Sequence, residues 1–363
     1  MPFCRLDAGL VQVLIRLVQL LLSQVQLSLR HVWPSNPLPH EMVERVLLSP
    51  DLSGVIISQL CNSLDPSDAV AFSSASSELW ALTHAQRQQL KADYNVAAAL
   101  SLKLGMQGCK ELREAKFLEV LSCADRLSED NLATFGTLGS LMPALNKLFL
   151  SGLNMWPPQA DLIDTIRIND RAAGVQRLAE KLGAGALPAL TSVTLNYMQL
   201  GDAGASALAA ALNRGALPRL KHLDLTRAAI GDAGVVALAP ALQRLPALRS
   251  LDLGENRLLG DVGAAALVAP PPPPAGAPPT TGVLTELKQL RLNETRITDA
   301  GCAILAAALH SGALPPLEAL SLFGTHASAA SVAAVFEALV SLRGPRYSDD
   351  YTLRFAWPNW VYW

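Results

Sequence analysis

Apolar positions repeat in one phrase between Leu190 and Leu242. Leu190, Val193, Leu195, Leu200, Leu208 and Leu212 return as Leu220, Leu223, Leu225, Ile230, Leu238 and Leu242. Between them, Gly201-Asp202-Ala203-Gly204 returns as Gly231-Asp232-Ala233-Gly234. A period of about 30 residues is that of a stacked solenoid. Within each unit the spacing changes. L-x-x-L-x-L alternates like a short strand with its leucines on one face, and A-L-A-A-A-L keeps its apolar positions on one side of a helix. The strand phrase opens at Leu145, Leu190, Leu220, Leu248, Leu287 and Leu317. The pattern predicts an α/β solenoid of six or seven repeats, with a curved parallel sheet on the concave face and helices outside.

This alanine-rich form resembles the leucine-rich repeat of the ribonuclease-inhibitor type. Where many such repeats carry Asn or Cys, this chain has Met198, Ala228, Asn256, Thr295 and Thr325, so only Asn256 keeps the amide of an asparagine ladder. A degenerate repeat precedes these: Leu118, Val120, Cys123, Leu127, Asp130 and Leu132 resemble the cysteine-containing leucine-rich repeat. Repeats are therefore expected over residues 115–342. Two starts are more widely spaced, which predicts insertions near 153–168, with Trp156-Pro157-Pro158, and near 269–283, with Pro270 to Pro274 and Pro278-Pro279. The second suits polyproline II.

Before the repeats, residues 1–30 are apolar and space Gln12, Arg16, Gln19, Ser23 and Gln26 along one helix side. An amphipathic helix is expected there; a targeting segment, a membrane-surface helix and a helix packed on the next domain all remain open. Residues 31–49 read as a proline-rich linker. Over 50–90, an apolar helix leads into Leu64-Asp65-Pro66-Ser67-Asp68, a second apolar helix, a serine-rich turn and Trp80. This order is similar to the F-box, a helical module that docks the linker subunit of SCF-type ubiquitin ligases. It departs from the commonest form at Asp51-Leu52 and Gly54. The resemblance implies docking through Leu60, Leu64, Pro66, Val70 and Trp80. A plain helical cap on the solenoid accounts for the same spacing. Residues 91–114 read as a helical connector, and 343–363 as an aromatic cap or docking tail carrying three of the six tryptophans.

Charge narrows the partners. With 29 basic and 31 acidic residues and no basic stripe, a nucleic-acid surface is not indicated. Five scattered cysteines without a CxxC pair indicate neither a disulfide framework nor a zinc knuckle, and point to the cytoplasm or nucleus. No phosphate loop, nucleophile elbow or metal-ligand spacing occurs, so no catalytic residue, cofactor or metal is assigned. The GDAG segments read as repeat turns and helix starts rather than phosphate loops. Proteins of the Ran GTPase-activating type share the long repeat but carry an acidic tail; here the tail is aromatic, and that activity is a remote alternative.

Recognition remains. Because strand side chains alternate, the residues between buried leucines should project from the concave face. They are Lys147, Phe149, Thr194, Asn196, Tyr197, His222, Asp224, Arg227, Asp252, Glu255, Arg291, Glu294 and Phe323. Their mixed charge and aromatic content suits a protein partner. The combined expectation is a non-enzymatic scaffold in which the F-box-like module docks the ligase and the repeats hold a target protein; the alternative is a leucine-rich repeat interaction protein without a ubiquitin role.

Overall fold

The computed structural model describes residues 57, 60–74, 77–120, 127–152, 169–269, 284–314 and 317–341. The expectations for 1–30, 31–49 and 343–363, and for nearly all of both insertions, fall outside the described residues. The chain divides into two compact units between Asn95 and Val96.

The first unit is helical, with α1 Ser67–Ser73, α2 Ser77–Leu82 and the start of α3 His84–Lys103. Its core joins Ile57, Ala69, Phe72, Leu79 and Leu90, with Leu60 and Cys61 partly covered. The polar residues before α1 shape the entry. The Asn62 side-chain oxygen accepts the N–H of Leu64 at 2.9 Å, and Asp65 accepts that of Ser67 at 3.3 Å. Such side-chain to backbone bonds stand in for missing turn bonds, and Pro66, lacking an N–H, costs nothing at a helix start.

The second unit is the predicted leucine-rich repeat solenoid. After the rest of α3 and α4 Cys109–Glu114, seven strands form one parallel sheet in sequence order: β1 Phe117–Val120, β2 Lys147–Leu150, β3 Ser192–Thr194, β4 His222–Asp224, β5 Ser250–Asp252, β6 Gln289–Arg291 and β7 Ala319–Ser321. The helices between and after them are α5 Glu129–Leu138, α6 Asn169–Lys181, α7 Gly201–Asn213, α8 Asp232–Leu242, α9 Asp261–Val268, α10 Asp299–His310 and α11 Ala329–Ser341. The strand-phrase leucines are buried; Leu220, Leu223 and Leu225 are at most 1% exposed. Each full burial of such a side chain is worth about 1.5–3 kcal/mol, and the alanines at alternate helix positions let α7 through α11 pack side by side.

Two polar devices stitch the repeats. Asn256, fully buried, donates its amide to the carbonyls of Leu225 and Leu253, both at 2.9 Å, and accepts the Ile230 N–H at 3.0 Å. Thr295 and Thr325 replace the amide with a hydroxyl that reaches only a carbonyl of its own repeat. The second device is the aspartate of each GDAG-type turn. Asp202 accepts the N–H groups of Gly231 and Gly234 at 2.7 and 2.9 Å, and Asp232 accepts those of Gly260 and Gly263, both at 2.8 Å. Asp261 accepts the Thr298 N–H at 2.8 Å, and Asp299 that of Ser328 at 2.6 Å. Each carboxylate thus satisfies the start of the next helix, where backbone donors lack partners. This explains the second glycine of the phrase. A Cβ on Gly234 would stand 2.5 Å from the Asp202 carboxylate, and one on Gly263 2.8 Å from that of Asp232.

Candidate functional site

The strand register builds two rows on the helix-free face of the sheet. Phe117, Lys147, Ser192, His222, Ser250, Gln289 and Ala319 pair in one row, and Glu119, Phe149, Thr194, Asp224, Asp252, Arg291 and Ser321 in the other. A third row follows the strands. Tyr197, Arg227, Glu255 and Glu294 all have φ between 51° and 59°, and Gly324 has 69°. Each of the four non-glycine residues donates its N–H to the next repeat, at 3.0 Å from Tyr197 to Thr226, 2.9 Å from Arg227 to Gly254, and 2.7 Å from Glu255 to Asn293 and from Glu294 to Phe323. Left-handed backbone is costly for residues with a Cβ, and these ladder bonds offset it. The consequence is a rank of long side chains, one per repeat, beside the sheet.

The thirteen predicted face residues come together with one exception. Lys147, His222, Arg227, Arg291 and Phe323 are exposed, and Phe149, Thr194, Tyr197, Asp224, Asp252, Glu255 and Glu294 are half-buried. Asn196 is the correction: it is 2% exposed, and its Oδ1 meets no hydrogen-bond partner among the described residues. It directly follows the last strand leucine, where Ser151 and Gly254 of other repeats are also buried. Phe323 holds the same position in the last described strand repeat and is 70% exposed.

Charges on this face are patterned. Arg291 Nη1 lies 3.0 Å from Asp252 Oδ2, Arg227 3.7 Å from Glu255, and the Arg227 guanidinium stands 5.4 Å from the Tyr197 ring centre. Burial pushes the Asp224 carboxyl up and neighbouring Asp252 adds to this, while Thr226 hydrogen bonds and Arg291 pull it back. Burial, then Glu294, likewise raises Glu255 against Arg227 and Arg257. His222 is lowered by burial and then by Lys221, Arg249 and Lys147. Two of these, Lys221 and Arg249, are residues that strand alternation alone did not supply; with Lys288, which pairs with Glu318 at 2.9 Å, they directly follow Leu220, Leu248 and Leu287 and form a basic border at the strand starts. Phe117 and Glu119 were also missed, although the alternation around Leu118 and Val120 would have found them.

In the first unit, Val70 and Trp80 are 43% and 46% exposed, and Leu60 and Pro66 are half-buried. The Arg87 guanidinium stacks on Trp80 at 3.3 Å from the ring centre. Leu64 corrects the expected docking set. It is 2% exposed, enclosed at the turn that Asn62 ties, and offers no surface to a partner.

A family model described as leucine rich repeat matches residues 217–239 and 245–268. No curated protein matches the chain. Among solved structures, one similar chain belongs to the crystal structure of the Rad7 and Elc1 complex in yeast, at 18% identity and a TM-score of 0.31, over 57% of this chain and 56% of that one. The present chain thus spans a little over half the length of that neighbour.

Proposed function

We propose that this chain is a non-catalytic scaffold that binds a protein on the helix-free face of its sheet. The observation that carries the reading is that face itself: six of its half-buried or exposed residues, Tyr197, Asp224, Arg227, Asp252, Glu255 and Arg291, are charged or aromatic groups held in register on four successive repeats. Such side chains are preorganised by the strands, so a partner need not order them, and ordering a long side chain costs about 0.5–1.5 kcal/mol. Tyr and Arg dominate interface hot spots when a partner covers them. The basic border beside an acidic band sets the orientation of a partner of complementary charge.

The test places a photo-crosslinking residue at Ser192 or Ser250 on this face, and at Val236 or Ala210 on the outer helices, in cells producing the chain. Discrete adducts from the sheet positions alone are expected. Adducts from both faces alike, or from the helices only, would refute the reading.

A finer reading makes the scaffold a substrate receptor of an SCF-type ubiquitin ligase, with residues 50–90 docking the linker subunit. What supports it is the F-box-like order of residues, together with the exposure of Val70 and Trp80. Leu64 has no part in it. The test is capture of the linker subunit by the full chain, with Val70→Asp and Trp80→Ala beside the parent. Loss of capture in both folded variants is expected, and no capture by the parent would end the ubiquitin reading while leaving the scaffold intact.

A further inference from the structure

Past the ends of β5, β6 and β7 the chain forms a recess of about 390 Å³, lined by Arg257, Glu294, Thr295, Arg296, Gly324 and His326. Three of these are the same residue of the repeat. Arg257, Arg296 and His326 each follow their leading leucine, Leu248, Leu287 or Leu317, by nine positions, so successive repeats deliver three groups able to carry positive charge to one concavity. The matching positions of the two preceding repeats are Gln199 and Ala229, which confines the charge to this end of the sheet.

The recess is poorly neutralised. Its one carboxylate, Glu294, lies 3.7 Å from Arg257, and the two side chains are 41% and 78% exposed. A pair so long and open contributes little and exchanges readily. Glu294 also faces a like charge, since it is one of the groups that raise Glu255. Among the described residues, the Arg296 guanidinium and the His326 ring have no ion-pair or hydrogen-bond partner. Gly324 adds a backbone donor: its counterparts Tyr197, Arg227, Glu255 and Glu294 give their N–H to the following repeat, and Gly324 has no acceptor among the described residues.

We propose that this recess is an anion subsite for a phosphorylated side chain on the bound protein. Planar guanidinium groups match phosphate oxygens in pairs, a phosphate dianion neutralises two of them better than the single Glu294 carboxylate does, and the His326 ring adds a hydrogen-bonding group. The subsite rests on the protein-binding reading and deepens it. It lies beside the rank of Arg227, Glu255 and Glu294, so a segment crossing the sheet face delivers its modified residue to the rim.

The experiment uses the full chain and a degenerate phosphoserine peptide pool, compared with the same pool unphosphorylated, at fixed ionic strength. The phosphorylated pool is expected to be retained at least tenfold better, with the gain lost in Arg296→Gln and Arg257→Gln and kept in Arg219→Gln, an exposed arginine outside the recess. Equal retention of both pools, or equal loss in Arg219→Gln, would overturn the subsite. Inorganic phosphate serves as competitor. Displacement at millimolar concentration is expected for a site reading the phosphate group, and no displacement refutes it. Sheet-face crosslinks that persist in Arg296→Gln alongside phosphate-independent retention would remove the subsite and leave the scaffold reading standing.

Discussion

Replacing Asp232 by alanine isolates the device that joins one repeat to the next. In the native chain this carboxylate accepts the N–H groups of Gly260, the N-cap of α9, and of Gly263 in its first turn, both at 2.8 Å. Alanine leaves both without an acceptor, because the helix's own cap is a glycine. Loss of a helix cap costs about 0.5–2 kcal/mol, and loss of a charge-assisted bond about 1.5–3 kcal/mol. Asp232 is half-buried, so water recovers part of this. A loss of about 2 kcal/mol is therefore expected. Asparagine retains a neutral acceptor and forfeits only the interaction with the helix dipole, about 0.3–1 kcal/mol. Solenoid repeats open locally, so a single global transition is a blunt instrument. The assay is native-state hydrogen exchange, with urea unfolding beside it. Asp232→Ala should speed exchange at Gly260, Gly263 and the first turn of α9 by about 30-fold, while amides of α7 and β3 change little. Equal effects of alanine and asparagine, or unchanged exchange at Gly260 and Gly263, would refute the reasoning.

Three further expectations follow from the same structure. Asn256→Ala strands the Ile230 N–H and the Leu225 carbonyl in a fully buried site and should cost at least about 3 kcal/mol, read as a lower urea midpoint; a loss below about 1 kcal/mol would contradict the assignment. Asp224 and Asp299 should respond to pH with opposite signs. Burial raises Asp224 in the fold, so it destabilises as pH rises from its unfolded value of 3.8 through the higher folded value; Asp224→Asn should stabilise the chain at pH 7, with the gain gone below pH 3.8. Hydrogen bonds from Ser328 lower Asp299, so its stabilisation is present above 3.8 and lost as pH falls through the lower folded value; Asp299→Asn should weaken the α10–α11 junction at pH 7 and not at acid extremes. Thermal scans from pH 2 to 7 decide both, and the same sign for the two variants would refute them. In the first unit, Leu64→Ala should cost about 2–5 kcal/mol as a core truncation, while Val70→Ala should lie within about 1 kcal/mol of the parent; equal melting temperatures would refute the burial of Leu64.

The fold was legible because leucine alternation and alanine spacing are backbone-level signals: each strand phrase forces one buried face, and the register then follows from stacking. The face residues were legible for the same reason within the strands, but alternation loses its force one residue past them. Asn196 continues the alternation outward on paper, and the structure buries it. Tyr197, Arg227, Glu255 and Glu294 reach the face through a left-handed turn that no propensity scale would assign to them. The basic border residues Lys221 and Arg249 became visible through their effect on His222, which for Arg249 is a relation between repeats rather than within one. Leu64 shows the limit of a resemblance. Its place in an F-box-like phrase implied a docking contact, while its own neighbourhood, the turn closed by Asn62, made it core.

The two stitching devices explain why a chain that keeps asparagine at only one ladder position, Asn256, can still stack its repeats. Asn256 ties its repeat backward, through the Leu225 carbonyl and the Ile230 N–H, close to the sheet. Asp202, Asp232, Asp261 and Asp299 tie theirs forward, at the helix starts. Repeats carrying Met198, Ala228, Thr295 or Thr325 have lost the backward amide, yet those of Met198, Ala228 and Thr295 keep a forward carboxylate. Cohesion has thus moved from a buried neutral group to a partly exposed charged one. An amide holds its bonds at any pH, whereas a carboxylate holds its acceptor strength only while ionised. Acid should therefore loosen the start of α11, where hydrogen bonds from Ser328 hold the Asp299 carboxyl below its ordinary value, before it reaches the leucine core. The helix-free face is the part of the solenoid whose geometry depends least on those carboxylates.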